Sequence, residues 1–235
     1  MSIEESVELN DEDSGTEPNR FVKYLHSEYA LVGDVPSVGD VAPDFLVTQW
    51  VDKLRVRVGI GNLLLEQRPI LLTTSHTVDA PGSVLQVLQL ERMLSRFVHQ
   101  VRTVHVSSDL PFTLNRCLDV HNILHLKAAS DYQFKSFEAY GVLMEDPEVL
   151  CRSAFVIDKQ GIVRYVEVPG DFSTELDYEQ IAALLDGLLI EDHAQEDPLD
   201  GSDGTSSDAC PLEESDSASS DACMNEDEGS VGVDA

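Results

Sequence analysis

The stretch Ile70-Leu71-Leu72-Thr73-Thr74, followed by Asp79-Ala80-Pro81-Gly82-Ser83-Val84, reads as a strand running into the start of a helix. The first part is a continuous apolar run, as expected of a strand buried on both faces. After the loop, Val84, Val87, Leu88, Met93, Leu94, Phe97, Val98 and Val101 recur at the spacing of one helix face. A buried strand leading into an amphipathic helix is a building block of the α/β class.

The alternation continues downstream. Val101, Thr103, Val104 and Val106 read as a second strand, and Ile123–Leu126 as a short third. Phe134, Phe137, Tyr140 and Gly141 predict a helix stopped by glycine. Ala154–Ile157, the turn Asp158-Lys159-Gln160-Gly161 and Ile162–Val168 predict a hairpin. Tyr178, Ile181, Ala182, Leu184, Leu185 and Leu188 predict a final amphipathic helix. Gly59-Ile60-Gly61-Asn62 is too short for a phosphate-cradling loop.

The 235-residue chain has a formal charge of −29, unevenly placed. About half of its acidic residues, and none of its Lys and Arg, lie outside Arg20–Ile190. This predicts three parts: an acidic segment over 1–19, a mildly acidic domain over 20–190, and an acidic tail over 191–235. Both ends hold too little apolar surface to offset the entropy of ordering and are expected to be disordered. Residues 1–19 lack the basic start and apolar run of a signal peptide. No stretch approaches the roughly 20 apolar residues that span a bilayer, so a soluble, cytoplasmic protein away from membranes is expected. Nucleic acid is not an expected partner, because no basic patch stands out to neutralise phosphates. The tail repeats Ser206-Ser207-Asp208-Ala209-Cys210 as Ser219-Ser220-Asp221-Ala222-Cys223. That repeat is too short and polar for a structural unit. It reads as a solubilising tail, or as one presenting two thiols.

Five blocks, in order, resemble the thiol peroxidase branch of the peroxiredoxins. Gly39-Asp40-Val41-Ala42-Pro43-Asp44-Phe45 is similar to its Gly-Asp-x-Ala-Pro-Asp-Phe, and Asp79-Ala80-Pro81-Gly82-Ser83 to its Asp-Thr-Pro-Val-Cys. Ser107-Ser108-Asp109-Leu110-Pro111-Phe112 matches Ser-x-Asp-Leu-Pro-Phe. Phe137-Glu138-Ala139-Tyr140-Gly141-Val142 resembles Phe-x-x-x-Tyr-Gly-Val with one residue fewer, and Arg152–Asp158 the strand that begins with the active-site arginine. The resemblance implies an α/β, thioredoxin-like fold of the peroxiredoxin type, with a central mixed sheet flanked by helices. It also implies a homodimer, thioredoxin-dependent reduction of hydroperoxides, and no cofactor or metal.

The family's chemistry needs a thiolate, whose pKa a helix N-terminus and a nearby arginine lower. Attack on peroxide gives a sulfenic acid, which a second thiol captures. The resemblance puts Ser83 at the peroxidatic cysteine, Ala80 at the peroxide-holding threonine and Arg152 at the arginine. It puts Cys117, one residue early, at the resolving cysteine. A serine hydroxyl hardly ionises near neutral pH and cannot form the disulfide. A degenerate, weakly active or inactive thiol peroxidase relative is therefore expected. The alternatives are a non-enzymatic binding or regulatory module on the same fold, and a residual oxidoreductase using Cys117.

Other readings of these residues stay open. Ser83 could be a nucleophile activated by His76, although the Gly-x-Ser-x-Gly elbow is missing; or it caps the helix. Cys117 could be a small buried hydrophobe. Cys151, next to Arg152 on a strand, should face the opposite side, into the core. Cys117, His121 and His125 fall at helical spacing and invite zinc, but His125 lies in the expected third strand, which breaks the face.

Overall fold

The computed structural model describes residues 20–133 and 135–196. The 1–19 segment, Phe134, and the chain from residue 197 onward, with its repeat and its two cysteines, lie outside the described residues.

The described chain begins with two hairpins, β1 (Phe21–Tyr24) with β2 (Ser27–Val32) and β3 (Leu46–Val51) with β4 (Leu54–Gly59). A short helix, α1 (Ile60–Leu64), precedes β5 (Ile70–Ser75), which leads into α2 (Pro81–Leu94). Next come β6 (Arg102–Ser107), α3 (Pro111–Val120), β7 (Ala128–Ser130), a 3₁₀ turn over Ser136–Tyr140 and β8 (Leu143–Met144). The hairpin β9 (Ser153–Ile157) and β10 (Val163–Glu167) and the last helix, α4 (Tyr178–Glu196), follow.

Seven strands form one mixed sheet in the order β10-β9-β5-β6-β7-β3-β4. Only β5–β6 and β6–β7 run parallel; the other neighbours are antiparallel. The apolar run of β5 explains its central place. Ile70 and Leu72 pack on one face with Val47, Val104, Val106 and Phe155. Leu71 points to the other face, against Val87, Leu90 and Leu94 of α2 and Ile181 and Leu185 of α4. Fully burying such side chains stabilises by about 1.5–3 kcal/mol each. No helix among the described residues is long and apolar enough to cross a membrane.

Three expected elements are corrected. The α2 helix ends at Leu94, although Phe97 and Val101 continue its apolar face. Just past its end, Ser95 Oγ donates to the Arg92 carbonyl, a local bond that competes with helix continuation. Ile123–Leu126 is a loop rather than a strand, and the third parallel strand is β7. The N–H groups of Leu124, His125 and Leu126 bond to the Glu91 carboxylate on α2 instead of to a neighbouring strand. Finally, the last helix runs on past Leu188, where its sequence pattern ends, through Glu196. Asp192, on that extension, pairs with Lys159 at 2.9 Å. The glycine stop at Gly141 is present, but it closes a 3₁₀ turn. Its φ is +62°, and a Cβ there would lie 2.7 Å from the Val35 nitrogen, so no larger residue fits.

Candidate functional site

The site forms where β5 ends, at the N-terminus of α2. Ala80 is the helix N-cap, with extended backbone and no side-chain cap bond, and Pro81 occupies the first turn. The expectation that Ser83 caps the helix is thereby corrected. Ser83 lies inside the first turn, its N–H bonded to the Ala80 carbonyl at 3.0 Å. It is buried, 2% exposed. Its hydroxyl lies 3.5 Å from His76 Nδ1.

Arg152 comes from the segment just before β9 and reaches the same place. It is 5% exposed. Nη2 donates to the Gly82 carbonyl at 3.1 Å, and Nη1 to the Thr174 carbonyl at 2.8 Å. Nη1 also lies 3.2 Å from Glu175 Oε1. The guanidinium thus ties the first turn of α2 to the segment before α4. Ala80, Ser83 and Arg152 are brought together around one helix turn.

Cys117 on α3 lines a hollow of about 220 Å³ with Val78, Asp79 and Val84, so α3 borders the same loop. Burial, then the charges of Asp79 and Asp109, raise its pKa; Arg116 opposes them. Cys151 is fully buried among Phe155, Leu150 and Tyr140, on the sheet face away from α2. Burial pushes its thiol up to about 12. His125 is not in a ligand cluster with Cys117: its Nδ1 lies 2.7 Å from Glu91 Oε1. Among the described residues no group of His, Cys, Asp and Glu is placed to hold a metal.

Four further residues shape the site. Asp109, after β6, accepts from Thr77 Oγ1 at 2.8 Å, the Val78 N–H at 2.7 Å and Ser107 Oγ at 2.8 Å. It therefore pins the loop that presents α2. His76 packs against Tyr24 and Phe172, with ring centroids 5.5 and 4.9 Å away. Burial lowers its pKa; Asp109 works against this and Arg152 with it. His105 is fully buried between Thr73 Oγ1 at 3.0 Å and Ser75 Oγ at 2.9 Å. Burial, aided by the charge of Arg152, brings its pKa down to about 4, so it is neutral at pH 7. Gln86, one turn after Ser83, donates to the Thr74 carbonyl at 3.0 Å. The motif Ser107–Phe112 contained the clue to Asp109. His105 and Gln86 sit on apolar-looking faces and gave no signal.

The geometry bears on the nucleophile question. Asp109 spends its carboxylate on Thr77, Val78 and Ser107, not on His76, so among the described residues no third group is hydrogen-bonded to the imidazole as a triad requires. The Ser83 N–H is used within the helix turn rather than aimed at an oxyanion. The arrangement sets a helix N-terminus and a buried guanidinium next to residue 83, which carries a hydroxyl.

Comparison with known proteins agrees with this frame. A sequence model of the AhpC/TSA family matches residues 38–166. A thiol peroxidase of Aquifex aeolicus is 28% identical over 173 residues, covering 72% of this chain and 99% of that protein. A Helicobacter pylori thiol peroxidase is 30% identical over 174 residues, covering 70% of this chain and 98% of that protein. The crystal structure of a peroxiredoxin-like protein from Aquifex aeolicus superposes with a TM-score of 0.65 at 28% identity, covering 72% of this chain and 97% of that one. With strand order, flanking helices and relatives in accord, the chain belongs to the AhpC/TSA family, as a thiol peroxidase-like peroxiredoxin.

Proposed function

We propose that this chain keeps the thiol peroxidase scaffold without the family's thiol step at residue 83, as a degenerate, weakly active or inactive member of the family. The observation that carries this is Ser83, seated in the first turn of α2 beside an arginine already bound to Gly82 and Thr174. Ala80 adds to it, having no hydroxyl for the peroxide. Thioredoxin, the family's reductant, has no disulfide to reduce between positions 83 and 117. Cys117 does not substitute: its thiol is partly buried with a raised pKa, the reverse of an activated thiolate. A cytoplasmic homodimer belongs to the same proposal, and sedimentation equilibrium tests the assembly.

The deciding experiment is peroxide consumption coupled to thioredoxin and its reductase. The expected rate is no faster than that of an ordinary free thiol. Fast turnover that disappears in Cys117→Ala would overturn the proposal and move the chemistry to Cys117.

A further inference from the structure

At the other end of β5 and β6 from Ser83, a cavity of about 140 Å³ opens beside the start of β6. Arg68 from the loop before β5, His99 and Arg102 around the start of β6, and His125 and Lys127 from the loop before β7 line it. Three of the 15 Lys and Arg of this chain, and two of its 7 His, meet in one hollow of a molecule with net charge −29. We propose that this hollow binds a compact oxyanion of the phosphate or carboxylate type.

Cations from three chain segments repel one another unless negative charge lies among them. The nearby carboxylates answer only part of this. Glu66 pairs with Arg102 at 3.3 Å and with Arg68 at 3.7 Å. Glu91 takes the His125 ring at 2.7 Å. Lys127 meets no carboxylate among the described residues; its ammonium lies 3.5 Å from the Leu124 carbonyl. The Arg102 Nε–H is buried without an acceptor, so Arg102 retains donor capacity beyond its pair with Glu66. Leu94, Phe97 and Val101 form an apolar wall, which lowers the local dielectric and strengthens the pull on an anion. Guanidinium forks suit carboxylate and phosphate geometry alike.

Size narrows the ligand. At about 30 Å³ of liquid volume per water, the cavity holds the equivalent of four or five waters. That admits one oxyanion head group. The head group is either a free ion or the acidic end of a larger molecule.

Isothermal titration of the full chain with inorganic phosphate, and separately with acetate, at low ionic strength tests this. Saturable one-site binding is expected, at least ten-fold weaker in Lys127→Gln and in Arg68→Gln. Lys53→Gln, in the exposed turn between β3 and β4, should bind as the parent does. Circular dichroism and melting without phosphate establish that each variant is folded. Preference for phosphate assigns a phosphoryl ligand; equal binding of acetate assigns a carboxylate. Absence of saturable binding to either ion, or equal weakening by Lys53→Gln, overturns the site.

Discussion

At position 83 one atom separates the present side chain from the cysteine that the family resemblance places there. Changing Ser83 to Cys should give a thiol that titrates below the ordinary value of about 8.5. The α2 N-terminus and Arg152 each favour the anion by about 1 kcal/mol. Absorbance of the thiolate against pH measures this, and Arg152→Ala in the same background should return the pKa upward. Titration of the cysteine like a free thiol would show that Arg152 does not act on residue 83. Peroxidase activity of the single variant should be poor, and Ala80→Thr combined with Ser83→Cys should recover more, because peroxide alignment needs the hydroxyl. Ala80→Thr has a second effect, separate from chemistry. Ala80 is an N-cap without a side-chain bond, and a threonine there should stabilise the fold by about 0.5–2 kcal/mol. Urea midpoints in the Ser83 background read that gain without any reaction.

Among the elements, the polar join of α2 to the loop before β7 runs through one carboxylate, beside the core that Ile123 and Leu126 share with Val87 and Leu90. Glu91 accepts the N–H groups of Leu124, His125 and Leu126 and meets the His125 ring. Burial works to raise its pKa, but these donors outweigh it and hold it low. Glu91→Gln should cost about 1–3 kcal/mol near neutral pH. Because the folded pKa lies below the unfolded one, this contribution is complete above the usual carboxylate range. It disappears as pH falls through the folded value. Denaturation of both proteins at pH 7 and pH 3 should show the gap closing. His105 acts in a different window. The unfolded chain takes up a proton near 6.5, whereas the folded site refuses it until about 4. Stability therefore drops as pH falls from 6.5 to about 4, and the slope of Tm against pH should flatten there in His105→Gln. These elements also show what a sequence reveals. β5 and the start of α2 were legible because a buried apolar run and a helical period are local patterns. The end of α2 was hidden because Phe97 and Val101 stay in the core after the helix stops. Ile123–Leu126 looked like a strand because it is apolar; its N–H partner lies on a distant helix, and no local pattern carries that. At the site, Ser83, Ala80 and Arg152 could be placed from motifs, while His105 and Gln86 looked like ordinary positions on buried elements.

Over the whole molecule, the two cysteines of the described region divide between the two faces of the fold, and both have raised pKa values. Stopped-flow mixing of reduced protein with peroxide should show slow, unselective thiol loss, without a fast phase at any one cysteine. The sheet itself is joined unevenly. β5 pairs with β6 and β9 through Ile70–Ser75 and Ile70–Thr74. The β3–β4 hairpin meets β7 through the pair Thr48 with Ser130, and Val47, Val58 and the bonds of Leu46 with Ser136 anchor its inner part. Amide protons at residues 54–57 of the edge strand β4 should exchange with deuterium through an opening cheaper than global unfolding. Those of Leu71–Thr73 should exchange only when the whole domain opens. The outer strand is the hem of the sheet, exposed along residues 54–57, so the molecule can fray at that margin while the frame around residue 83 stays shut.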